Sequence, residues 1–97
     1  MLKLKISWEL EDGSKFEEWT RPTELAMAER ELFNGKSIIA VLRDDSSPSN
    51  QFLLYIAHKI HQRVSEKPVG NFEQWQKKVI EVGMPEFDLP KGSTPEA

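Results

Sequence analysis

The residues best suited to chemistry in this chain are two histidines, His58 and His61, set three apart in "FLLYIAHKIHQR". On a helix that spacing puts both imidazoles on one side, where they could share a metal ion. A metal site needs further ligands, and the chain has neither a His-Glu-x-x-His nor a Glu-x-x-His pattern to supply them. Both histidines are therefore expected to be solvated, on the polar side of a helix. Asp44-Asp45 lacks calcium-loop spacing and reads as a capping or solvated pair. There is no cysteine, no glycine-rich phosphate loop and no serine in a nucleophile elbow. No catalytic residue, metal ligand or cofactor is assigned, and the chain is not expected to be an enzyme.

The other candidates are aromatic. Phe72 and Trp75 stand in "NFEQWQKKVI", followed by Val79 and Val82 at spacings that make one face of a helix. Trp8 and Trp19 belong to an N-terminal β-hairpin, and Phe87 to the acidic "MPEFDLP" segment. A hairpin whose second face meets solvent would expose a tryptophan, and exposed aromatics on a sheet mark association surfaces. Trp8, Trp19 and Phe87 are thus the candidate surface for a partner or a second copy of the chain. A homo-oligomer formed through the hairpin is expected.

Composition bounds the rest. With 97 residues, 38% hydrophobic and 30% charged, the chain fits one soluble globular domain with a thin core. Its net charge of −3 is spread without a basic face, so nucleic acid is not an expected partner. The longest apolar run, "SIIAVL", is far shorter than a membrane span, and no membrane partner is expected. "MLKLKISWEL" alternates and is no signal peptide, and the lack of cysteine gives no sign of an oxidising compartment, which leaves the cytoplasm.

The elements that would position these residues form an α+β domain over 1–83: an N-terminal β-hairpin, then a mainly α-helical bundle of three to four helices. The hairpin spans 2–20, because Leu2, Leu4, Ile6, Trp8 and Leu10 alternate with polar residues and Asp12-Gly13 supplies a turn. Phe16 and Trp19, three apart, predict a bulge or a strand that ends before Trp19. A helix over 24–34 starts at Thr23 and stops at Asn34-Gly35. Residues 37–43 suit a strand by their β-branched content, but Ser37 as N-cap favours a short helix. Longer helices follow over 50–65 and over 72–83, the last capped by Asn71 and stopped by Gly83 and Pro85. The expected core holds Leu25, Leu32, Ile56, Ile60, Phe72, Trp75 and Val79. Residues 84–97 carry three prolines and three carboxylates against one lysine, and read as a mobile acidic tail.

In this order, a hairpin followed by "ELAMAERELF", "GKSIIAVL", "FLLYIAHKIHQR" and "NFEQWQKKVIEV" resembles the tail assembly chaperones of long-tailed, non-contractile bacteriophages. The matching marks are Ala26-x-x-Glu29-Arg30, Leu54-Tyr55-x-Ala57-x-Lys59 and Phe72-Glu73-x-Trp75. The "DDSSPSN" loop and the two histidines depart from the pattern. The resemblance implies a protein that coats the tape measure protein, keeps its hydrophobic helices soluble and recruits tail tube subunits. It would act in the host bacterial cytoplasm and be absent from the mature virion. Many such proteins also exist in a longer frameshifted form, and Pro90-Lys91 is compatible with a slippery heptamer where the Leu89 codon ends in C. Two other readings are a small head-tail completion or neck protein retained in the virion, and a small dimeric regulatory adaptor.

Overall fold

A computed structural model describes residues 3–44 and 49–88. The expectations for Leu2, Asp45, the rest of the 45–48 loop, the tail from 89 onward and Pro90-Lys91 lie outside the described residues. The α+β class is observed, with an N-terminal antiparallel hairpin and helices.

Strand β1 runs over Lys3–Leu10 and pairs antiparallel with β2, Lys15–Trp19. The alternation of β1 decides its orientation. Leu4, Ile6 and Trp8 are buried, while Lys3, Lys5, Ser7 and Glu9 turn to the other face. The turn is closed by the Gly13 N–H donating to the Leu10 carbonyl at 2.9 Å, with Gly13 at φ +91°. A left-handed glycine after a type I-like turn is the usual three-residue hairpin loop. β2 carries no bulge and extends through Trp19. Phe16 therefore shares the covered face with its partner Trp8, and Trp19 shares the open face with its partner Lys5.

The C-terminal region differs from the expected helix over 72–83. Helix α4 covers only Phe72–Gln76, and the chain then enters β3, Val79–Val82, and β4, Glu86–Asp88. Both strands pair antiparallel with the second edge of β1, giving the order β2-β1-β3 with β4 beside the first residues of β1. Val79, Ile80 and Val82 are β-branched, and β1 offered an edge to satisfy them. The helical spacing of Val79 and Val82 has a different origin here. The register shifts between Glu9 and Leu10, so Val79 faces Leu10 and Val82 faces Trp8 although they stand three apart. A bulged strand thus reproduces the stripe of a helix. The expected tail also begins later than residue 84, because Phe87 pairs with Leu4.

Three further helices pack on the covered face or its margins. α1, Pro22–Leu32, starts at Arg21 rather than Thr23, with Pro22 at the first position. The Arg21 N–H donates to Glu24 Oε1 at 2.8 Å, the reciprocal half of a capping box. α2, Ile38–Asp44, is the short helix favoured from the sequence, capped by Ser37 Oγ accepting from Ala40 N at 3.1 Å. The Glu29 carboxylate also accepts from Ile38 N at 2.8 Å, fixing the α1–α2 corner. α3, Asn50–Val64, is capped by Ser49. The core consists of Leu4, Ile6 and Trp8 against Leu25, Ala28, Ile38, Phe52, Leu53, Ile56, Ala57, Ile60 and Trp75. Of the expected core residues, Leu25, Ile56, Ile60 and Trp75 are buried, whereas Leu32, Phe72 and Val79 pack half-buried at its edge.

Amide exchange separates strand from helix over 79–83. The Gly83 N–H donates to the Ser7 carbonyl at 2.9 Å, and the Glu11 N–H to Lys78 at 2.7 Å. Both amides are expected to exchange slowly, and nuclear Overhauser contacts should join Trp8 to Val82. A helical contact pattern over 79–83 would contradict the sheet.

Candidate functional site

The two histidines occupy the interior. His58 is 3% exposed and His61 8%, which corrects the expectation of solvated imidazoles. α3 presents Ile56 and Ile60 to the core, and the short α4 covers its flank, so the histidine side is largely shielded from water. The Trp75 Nε1–H donates to His61 Nδ1 at 3.0 Å, which fixes His61 as the neutral tautomer with its proton on Nε2. His58 Nε2 lies 3.0 Å from the Gly70 carbonyl, and it donates there. Burial holds both imidazoles below the ordinary value near 6.5. The Gly70 hydrogen bond opposes this shift at His58, while Lys59 adds to it. The rings continue a ladder in which Trp8 stacks on Phe16 at 5.3 Å, Phe16 meets His61 at 4.5 Å, and His58 meets Trp75 at 5.1 Å. Among the described residues no group of three or more His, Cys, Asp or Glu could hold a metal ion.

A charged clasp closes one end of the molecule. Arg63, in the last turn of α3, donates through Nε to Glu24 Oε2 at 2.7 Å and through Nη2 to the Trp19 carbonyl at 2.8 Å. The Glu24 side chain is only 7% exposed. One guanidinium therefore joins α3, the start of α1 and the end of β2. The Glu24 hydrogen bond pushes Arg63 above its already high ordinary value, so the charge persists throughout the working pH range.

The open face of the sheet is polar. Lys5 stands at its centre, 3.1 Å from Glu17 on β2 and 3.6 Å from Glu86 on β4, with its ammonium 5.8 Å from the Trp19 ring centroid. The Glu17 carboxylate, with Glu86, raises the Lys5 ammonium above the ordinary lysine value. Farther along, a shallow depression is lined by Ser7, Glu9, Lys15, Glu17, Glu81 and Gly83. Gly83 matters here, because a Cβ at that position would overlap the Ser7 hydroxyl. The depression has room for small polar groups but offers carboxylates without a nucleophile-base pair.

The three surface candidates separate. Trp8 is buried at 3% exposure, a correction that follows from its parity: it shares a face with Leu4 and Ile6, which the helices cover. Its indole Nε1 is buried without a hydrogen-bond partner among the described residues. Trp19 is 37% exposed on the open face, and Phe87 is 45% exposed on β4. They stand on opposite edges of β1 and on opposite faces, so they do not form one patch. Ile80 and Met84 are more exposed than either, at 62% and 70%, and Val64 at the end of α3 is exposed as well. Ile80 was legible only as part of a helix, and Met84 only as part of the tail.

The buried histidines give a pH dependence with a definite sign. The unfolded chain binds protons near pH 6.5 and the folded chain binds them only at lower pH, so stability is full above that value and falls as pH drops below it. Each histidine contributes at most about 1.4 kcal/mol per pH unit in that window. Urea midpoints should therefore be lower at pH 5.5 than at pH 7.5. His61→Phe should reduce that difference, leaving the His58 share, and cost about 1–3 kcal/mol at pH 7.5, because Trp75 loses its acceptor. Equal wild-type midpoints at the two pH values would refute the assignment. Comparison of the chain with protein-family models, curated proteins and solved structures gives no match.

Proposed function

We propose that this chain is a tail assembly chaperone of a long-tailed, non-contractile bacteriophage, which binds the tape measure protein, keeps it soluble and promotes assembly of the tail tube. The observation that carries the reading is the ordered set of three marks in the sequence. Their residues have definite structural work. Glu29 of Ala26-x-x-Glu29-Arg30 fixes the α1–α2 corner through Ile38 N at 2.8 Å. In Leu54-Tyr55-x-Ala57-x-Lys59, Ala57 is fully buried and the Lys59 ammonium lies 5.3 Å from the Tyr55 ring centroid. In Phe72-Glu73-x-Trp75, Trp75 is the residue that closes α4 onto α3.

The surface supports a holding role. Trp19, Val64, Ile80, Met84 and Phe87 leave large apolar side chains in solvent, where a client could meet them. The acidic balance of −3 would keep a complex with an apolar client in solution. Ile80 in β3, Phe87 in β4 and Met84 in the link between them lie along one edge of the sheet, where two short strands interrupted at 83–85 offer a foreign strand little to pair with. A client helix, which brings its own hydrogen bonds, suits such an edge better than a strand.

Co-expression with the tape measure protein of the same phage tests this directly. The expected result is a soluble complex with several copies of this chain, with binding weakened at least fivefold by Ile80→Ser combined with Met84→Ser. A client that stays insoluble while this chain elutes alone would reject the chaperone role. The chain's presence in purified virions would favour a neck protein instead.

A further inference from the structure

The outer edge of β2 is unpaired among the described residues. Leu10 N donates to the Ser14 carbonyl and Thr20 N to the Leu4 carbonyl, both within 2.9 Å, so the even-numbered residues of β2 direct their peptide groups to β1. Lys15, Glu17 and Trp19 direct theirs outward. The Trp19 end is closed: its carbonyl accepts from Arg63 Nη2 at 2.8 Å and its N–H donates to Glu18 Oε1 at 3.2 Å. This leaves the peptide groups of Lys15 and Glu17 open, a short stretch with no hydrogen bond among the described residues. Long flat edges are usually blunted by charge or cover, and here the cover stops two residues short.

We propose that a second copy of this chain occupies that edge, β2 against β2 in antiparallel register, with the two-fold axis at Phe16. The register follows from the residues. Centring on Phe16 sets Lys15 of each copy opposite Glu17 of the other and uses only the open peptide groups. Centring on Glu17 sets two carboxylates opposite each other and requires the Trp19 carbonyl that Arg63 holds. Centring on Lys15 sets two ammoniums opposite each other. A shift by one residue would place the covered face of one copy on the open face of the other. The Phe16 register alone matches opposite charges on the open face.

The covered face agrees with it. Phe16 and Glu18 are only half-buried, so the helices thin out before the edge of β2. The Phe16 ring, held between Trp8 at 5.3 Å and His61 at 4.5 Å, meets its equivalent across the axis. Lys15 is exposed and makes no ion pair among the described residues, while the Glu17 side chain is 60% exposed with only Lys5 beside it. The paired sheets form one eight-stranded layer with the helices of both copies on the same side. This pairing does not depend on the chaperone reading.

Charge reversal tests the register. Sedimentation across a concentration series should show a reversible dimer for the wild type, weakened by salt. Lys15→Glu alone and Glu17→Lys alone should each weaken association about tenfold or more, because both cross-strand pairs become like-charged. An equimolar mixture of the two variants restores both pairs, so a heterodimer should form where neither variant dimerises. That restoration also guards against misfolding, since a variant that failed to fold would not associate. A wild type that stays monomeric at every concentration leaves the edge to some other strand and overturns the proposal. Single variants that dimerise like the wild type, or a mixture that does not recover, overturn it equally.

Discussion

Strand β1 is bonded on both edges and covered on one face, and nearly everything else in the molecule answers to that constraint. A strand with two neighbours cannot slip, since a one-residue shift would turn Leu4, Ile6 and Trp8 into solvent and bring Lys5 and Glu9 into the core. The burial of those three apolar side chains therefore fixes where β2, β3 and β4 must lie. It also sets the face on which α3 can pack, and α3 in turn carries α1 and α4. Each of Leu4 and Ile6 is fully buried, which contributes roughly 1.5–3 kcal/mol apiece relative to exposure.

Helix α3 carries the remaining specificity. Its apolar side meets β1, its flank meets α4 through two histidines, and its end meets α1 and β2 through one arginine. The two polar devices differ in kind. Trp75 and His61 form a neutral hydrogen bond within a ring cluster, where a charge would be costly. Arg63 and Glu24 form an ion pair at the margin, where the guanidinium keeps part of its hydration and two further backbone groups share its donors and acceptors. Removing one partner of such a pair strands the other, at a cost of about 3–5 kcal/mol for a fully buried charge.

How much of this was legible depended on whether a pattern had one physical origin or two. The hairpin, α1 and α3 were readable because alternation, helical spacing and capping residues each pointed one way. Trp8 was also readable in principle, since its parity with Leu4 and Ile6 places it in the core. Exposure of a hairpin tryptophan is the rule of thumb that this parity overrides. The burial of His58 and His61 is not legible locally, because polar residues on a helix normally face water and nothing nearby announces that a short helix from later in the chain covers them. Residues 72–83 failed for a sharper reason. Phe72, Trp75, Val79 and Val82 satisfy a helical stripe, and the same four positions satisfy a five-residue helix followed by a bulged strand. Only the open edge of β1, distant in sequence, decides between them. The candidate surface was half legible: Trp19 and Phe87 are exposed, but the still more exposed Ile80 and Met84 were hidden inside elements that do not form.

The pairing of β1 with β3 also has a consequence in time. β1 leaves the ribosome before the other elements of this fold, and Val82, which lies opposite Trp8, follows roughly 70 residues later. During that interval the hairpin is complete on one edge and unfinished on the other. A helix turn over 72–82 forms in well under a microsecond, whereas closure of so large a loop is slow. Docking of β3 and β4 therefore closes the longest loop between paired strands in the sheet. Until it happens, the second edge of β1 stands unfilled, and an open strand edge of that kind is prone to wrong pairing.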